Sequence, residues 1–241
     1  MATVRLDKYL ADLGIGSRRE VKDWIRDGRV GIDGQICRKP EQKLDTERQS
    51  LTLDGEPLTY KRFRYFLMDK PAGVVTATED REQRTVLDLL PSELKKLGLF
   101  PVGRLDKDTS GLLLLTNDGE FAHRVISPKS GVEKRYYAGI DGEVTEDDVK
   151  AFASGLTLRD GTECLPAKLE NLGPGLCLVT VTEGKYHQVK RMLASRGKPV
   201  QTLRRLAVGE LILPESMEPG GVCELEESDL CKLFSKPLGK N

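Results

Sequence analysis

The chain has 241 residues, 38% hydrophobic and 32% charged, enough for one large domain or a small one beside a medium one, and too apolar to be disordered. No apolar run approaches the roughly 20 residues of a membrane span, and the opening MATVRLDKYLADLG lacks the apolar core of a signal peptide. Five cysteines without a CxxC pair suggest reduced thiols in a cytoplasm rather than disulfides or a zinc site. The 38 basic and 38 acidic residues balance, but unevenly along the chain. Residues 1–39 hold nine Lys/Arg against six Asp/Glu, and residues 183–206 hold seven against one. Local patches, not the sum, make a phosphate-binding face.

Residues 1–60 read as a small module of two helices and a hairpin. In VRLDKYLADLG, Leu6, Leu10 and Leu13 fall on one helical face with Tyr9 beside them, and Gly14 ends the run. Ser17 opens SRRE, a capping-box pattern closed by Glu20. The helix behind it turns Val21, Trp24 and Ile25 inward and stops at Gly28. RVGIDGQIC predicts a short hairpin turning at Asp33-Gly34. This order gathers Arg18, Arg19, Lys22, Arg26 and Arg29. Arg18 and Arg19 sit in a first helical turn, where cations oppose the helix dipole unless an anion binds there. A solvated charged face is the plain alternative.

A linker is expected near residues 57–62, and residues 61–241 form the second domain. RYFLMDK predicts a strand and Pro71-Ala72-Gly73 a turn. GLLLLTNDG reads as a strand ending at Asn117-Asp118-Gly119, followed by a helix in EFAHRVIS. EKRYYAGIDG predicts a strand, TEDDVKAFASGL a helix and LCLVTVTEG an alternating strand. YHQVKRMLASRG predicts an amphipathic helix with Val189, Met192 and Leu193 inward, and AVGELIL a late strand. Several connections are too short for parallel crossovers, so the expected class is α+β with a largely antiparallel mixed sheet.

GRLDKDTSGLLLL, residues 103–115, sets an arginine, two aspartates and a lysine against a run that reads as buried. Charge in such a place must be paired, solvated or used. Neither GxxxxGK[ST] nor GxGxxG occurs, which leaves no sequence case for a nucleotide cofactor. DTSG has its glycine one residue too late for an aspartic-protease loop and has no second copy. Asp106, Asp108 and Asp118 could serve a metal nuclease or merely shape loops, and neither His123 nor His187 accompanies a GxSxG elbow. His187 alone reads first as a capping or packing residue. A basic residue of EGKYHQVKRM could instead pair with a carboxylate under the leucine strand and keep it an anion, hence a nucleophile.

Together, DKPAGVV, GRLDKDTSGLLLLTNDG, EKRY and EGKYHQVKRM resemble the RsuA-type pseudouridine synthases. The stretch RLDKYLADLGIGSRREVKDWIRDGRVGIDGQ resembles the alpha-L, S4-like RNA-binding module that such enzymes carry in front. The resemblance runs from about residue 4 to the last ~15 residues. It implies a catalytic domain with a cleft across a mixed sheet. It also implies an intramolecular transferase that isomerises uridine to pseudouridine in RNA without metal or other cofactor. By motif match, Asp106 is the nucleophile and Asp108 a second acid that positions the loop. Arg104 matches the residue filling the space of the flipped base, and Tyr136 the ring stacking on the uracil. Lys190 matches the cation paired with the catalytic aspartate, where many relatives have arginine, with His187 and Arg191 beside it as RNA contacts. KYHQVKRM lies closer to the branch acting on small-subunit rRNA, which implies uridine 516 of 16S rRNA. A large-subunit target and a non-catalytic role in ribosome assembly are the alternatives. The expected partner is rRNA, with no membrane and no nucleotide cofactor, and the expected state is a cytoplasmic monomer.

Overall fold

The computed structural model describes residues 3–46, 48–58 and 63–234. The chain divides into two compact units, residues 1–62 and 63–241. Residues 59–62 of the expected linker, and with them the expected boundary after residue 60, lie outside the described residues.

The first unit runs β1 (Thr3–Arg5), α1 (Leu6–Asp12), α2 (Arg18–Arg26), β2 (Val30–Ile32), β3 (Gln35–Ile36), β4 (Lys43–Asp45), β5 (Leu51–Leu53) and β6 (Glu56–Pro57). Leu6, Leu10, Val21, Ile25, Val30 and Leu44 are fully buried in its core, which is why the two helices close on the sheet β3-β2-β5-β6. The Ser17 hydroxyl accepts from the Glu20 amide at 3.3 Å, and the Glu20 carboxylate accepts from the Ser17 amide at 2.8 Å, so two free helix donors are satisfied. Asp33 (φ 51°) and Gly34 (φ 79°) both adopt the left-handed conformation that a two-residue hairpin turn demands.

The second unit opens with β7 (Tyr65–Lys70), α3 (Ser92–Lys95), β8 (Phe100–Pro101), β9 (Ser110–Thr116) and α4 (Gly119–Ile126). It continues with β10 (Lys134–Ile140), α5 (Glu146–Ser154), β11 (Leu156–Thr157), β12 (Glu163–Cys164), β13 (Lys168–Gly173) and β14 (Leu176–Val181). It closes with α6 (Gln188–Ser195), β15 (Val200–Val208), β16 (Leu211–Ile212), β17 (Val222–Glu224) and α7 (Glu227–Phe234). The main sheet has the order β13-β14-β10-β15-β9-β7-β17, with β16 on β15 and β8 on β9. All its pairings are antiparallel except β9 with β15. The unit is therefore α+β, as expected.

Leu112–Leu115 fill β9 from both faces. Leu112 and Leu114 enter one apolar cluster, Leu113 and Leu115 the other, because alternate residues of a strand point to opposite sides. Each buried leucine contributes roughly 2 kcal/mol. The parallel contact between β9 and β15 covers only Arg204↔Ser110 and Arg205↔Gly111. Beyond it β9 takes β8 as its neighbour and β15 takes β16, so the sheet opens at its centre. The Arg205 side chain fills in where the backbone stops: its Nε donates to the Leu112 carbonyl at 2.8 Å. Gly111 (φ 103°) is required here, since a Cβ would lie 2.2 Å from the Arg205 carbonyl oxygen.

Two sequence expectations need correction. The late strand is not one run through residues 207–213: β15 begins at Val200, and a turn at Gly209 (φ 56°) separates it from β16. The helix expected from Tyr186 starts at Gln188, after a left-handed His187. Strand β17 and helix α7, unassigned in the sequence, complete the sheet edge and one apolar cluster.

Candidate active site

The segment between β8 and β9 carries GRLDKDT, and buried polar groups hold it from behind. Lys70, at the end of β7, is fully buried. Its ammonium donates to the carbonyls of Pro71 (3.0 Å), Lys107 (3.3 Å) and Thr109 (2.8 Å). Burial pulls it down to about 8, against the attraction of the Asp108 and Asp106 carboxylates. The Thr76 hydroxyl donates to the Leu105 carbonyl at 2.7 Å, and the Gly73 amide to the Lys107 carbonyl at 2.7 Å. The charged stretch is thereby fixed on both sides of Asp106.

The α6 region supplies the facing wall. Lys190 Nζ lies 3.0 Å from Asp106 Oδ2 and 2.5 Å from Asp108 Oδ1. Burial pulls the Lys190 ammonium down, but the Asp108 and Asp106 carboxylates outweigh it and hold it above its ordinary value. The hydrogen bond from Lys190 in turn keeps the Asp108 carboxyl below the usual carboxylate range. His187 Nε2 is 3.4 Å from Asp106 Oδ1. Its φ of 47° is uncommon for a side chain with a Cβ. That turn lays the imidazole flat on the exposed Tyr186 ring, at 3.9 Å and 18°. Although His187 occupies the N-cap position of α6, its side chain makes no capping hydrogen bond.

Asp106 opens into a cavity of about 430 Å³ lined also by Arg104, Thr109, Tyr136, Gly184 and Leu203. Tyr136, on β10, is half-buried and packs against the clusters on both halves of the sheet, which leaves one part of the ring for the cavity. Arg104 is exposed at the cavity rim. The Thr109 hydroxyl is buried and has no hydrogen-bond partner among the described residues.

The structure thus brings together Asp106, Tyr136, Lys190, Arg104 and His187. It places others elsewhere. Arg191 pairs with Asp160 at 2.5 Å rather than with Asp106. Asp118 caps α4, accepting from the Glu120 and Phe121 amides at 3.0 and 3.1 Å, and is no partner of the other aspartates. In the first unit, Arg29 is bidentate to Asp54, Arg26 lies 3.4 Å from Asp23 and Lys22 3.9 Å from Asp7. Arg18 and Arg19 are exposed, with no acidic partner among the described residues. Lys70 and Thr109 were missed as site residues; the signal for Lys70 was the pair of charges, Asp69 and Lys70, that ends the apolar run of FLMDK. Among the described residues no group of His, Cys, Asp and Glu could hold a metal ion, and no helix is long and apolar enough to cross a membrane.

Comparison with known proteins gives this arrangement a family. A model described as RNA pseudouridylate synthase matches residues 64–195, and an S4 domain model matches residues 4–49. The chain belongs to the RNA pseudouridylate synthase family. Members of this family isomerise uridine to pseudouridine. This pseudouridine synthase is 44% identical over 238 residues to an uncharacterised RNA pseudouridine synthase of Bacillus subtilis (strain 168), across 97% of this chain and 99% of the relative. It is 39% identical over 233 residues to ribosomal small subunit pseudouridine synthase A of Escherichia coli (strain K12), across 95% and 100% of the two chains. A crystal structure of pseudouridylate synthase matches with a TM-score of 0.67 at 37% identity, over 95% of this chain and 99% of the other.

Proposed function

We propose that this pseudouridine synthase acts on small-subunit ribosomal RNA, at uridine 516 of 16S rRNA, with Asp106 as nucleophile and without metal or other cofactor. The observation that carries the chemistry is the Asp106 carboxylate, held by Lys190 at 3.0 Å inside a cavity that also presents Tyr136. The target is supported by the relatives named for the small subunit and by KYHQVKRM.

The net reaction breaks the N1–C1′ bond, joins C5 to C1′ and moves a proton from C5 to N1. The target base has to leave its stack, at a cost of a few kcal/mol. Arg104 at the rim occupies the space it vacates, and Tyr136 receives the uracil on its ring. Lys190, 3.0 Å away, orients the Asp106 carboxylate. That carboxylate then attacks the ribose or the base, or draws the C2′ proton. Leu105, Val181, Val189 and Leu203 line the same cavity and would exclude water once the base fills it, so that the detached uracil stays beside C1′. The S4 unit adds RNA affinity through Arg18, Arg19, Lys22, Arg26 and Arg29, and the enzyme works as a cytoplasmic monomer.

Pseudouridine mapping of both rRNAs from cells lacking the protein tests this. Loss at one small-subunit uridine is the expected result. Loss in the large subunit would move the target, and no loss would reduce the chain to an RNA-binding role.

A further inference from the structure

A second cavity, of about 540 Å³, adjoins the first and shares Arg104, Tyr136, Glu183 and Gly184 with it. It lies where β9 and β15 part company, walled by Leu114, Val125 and Val208. Two buried cations also line it, Lys134 (7% exposed) and Arg205 (6% exposed).

Neither cation has a carboxylate partner among the described residues. Lys134 Nζ makes one long hydrogen bond, 3.4 Å to the Thr182 carbonyl. Arg205 donates its Nε to the Leu112 carbonyl, and its guanidinium carbon stands 6.0 Å from the Tyr136 ring centroid. The acid in the lining, Glu183, is already engaged by the Lys185 ammonium, the Leu165 amide and the Gln188 side chain. An ammonium has three donors to satisfy, and a buried one without an anion is costly. Burial and, after it, the neighbouring Arg205 pull Lys134 down to about 8. An anion arriving between the two cations would relieve both effects. A neutral base would relieve neither.

We propose that this cavity is a phosphate subsite, in which Lys134 and Arg205 take the anionic oxygens of an RNA backbone phosphodiester flanking the nucleotide held against Tyr136. The proposal rests on the reading of the chain as an RNA-modifying enzyme and adds the group that registers the strand. A phosphate held on the far side of Tyr136 would fix where along the backbone the flipped nucleotide is presented to Asp106.

The test uses the full-length enzyme and a single-stranded uridine pentanucleotide. In the unsubstituted protein, the methyl resonances of Val125 and Val208 should shift on adding the oligonucleotide, and much less with uridine nucleoside. Lys134→Met should weaken oligonucleotide binding by about tenfold and make its log–log salt dependence shallower by roughly 0.7. Lys134→Arg should restore both. Unshifted methyls, or an unchanged affinity and salt slope in Lys134→Met, would overturn the proposal. Inorganic phosphate binding as tightly as the oligonucleotide would make this a free-anion site and overturn the backbone assignment. None of these readouts involves turnover. Unmodified rRNA with the shifts intact defeats the functional reading alone, and pseudouridine formed with the shifts absent defeats this one alone.

Discussion

Asp106 owes its usefulness to its neighbours. Its carboxylate faces Lys190 and His187 across an open cavity, while Lys70 holds the backbone behind it. Replacing Asp106 with Asn keeps the volume and removes the proposed nucleophile. Turnover should fall by about 10³-fold or more, with RNA affinity within a few fold because one carboxylate does little for phosphate binding. Single-turnover assays beside a binding titration check this, and near-normal turnover would strike Asp106 from its role. Lys70 yields a pH dependence. Its proton is held near 8 instead of 10.5, so below pH 8 it is an ammonium with three donors for three carbonyls. Above that it is an amine with two. The kcat at saturating RNA should fall through a limb near pH 8, and that limb should vanish in Lys70→Met, where kcat is lower throughout by about tenfold. A limb surviving that change belongs to another group. Stability runs the other way: the unfolded chain keeps this proton up to about 10.5, so Lys70 makes folding stability rise from pH 8 to 10.5. That Asp106, Tyr136 and Lys190 meet at one cavity was legible because each stands in a dense local motif. Lys134 and Arg205 were not, since their shared cavity exists only once β10 and β15 are paired.

Elements with local causes were read correctly from the chain. The Ser17–Glu20 box and the Asp33-Gly34 turn depend on residues three or fewer apart, and both formed as the pattern required. Strand β15 was misread because its first six residues, VQTLRR, are polar enough for a loop. What makes it a strand is distant: β10 on one side and the start of β9 on the other. Gly111 records that distant contact in a single residue. Alanine there would combine a left-handed φ of 103° with a Cβ 2.2 Å from the Arg205 carbonyl oxygen. Gly111→Ala should therefore destabilise the protein by about 2 kcal/mol or more, read as a lowered midpoint in urea. An unchanged midpoint would mean that β15 can move away from β9 at no cost.

At the scale of the whole molecule, the proposed chemistry and the proposed grip on RNA are separable in sequence. Asp106, Tyr136 and Lys190 all belong to the unit of residues 63–241, and the five cations of the S4 unit to residues 1–62. Deleting residues 1–62 should raise the Kd for rRNA and flatten its salt dependence by roughly 0.7–0.9 log units per lost phosphate contact. A salt slope unchanged by the deletion would show that this unit does not hold RNA. The larger unit carries a constraint of its own, set by where its sheet begins and ends. Phe66, Leu67 and Met68 of β7 pair on one side with β9 and on the other with β17, residues 222–224. At about 5–20 residues per second, a growing chain leaves that apolar edge uncovered for on the order of ten seconds after its first partner has formed. An unpaired strand of this kind is a template for other chains. Nascent molecules that end before Val222 should therefore be captured by chaperones or aggregate, as pelleting of a chain stopped at residue 215 would reveal, and the last strand among the described residues becomes the one that closes this edge to other chains.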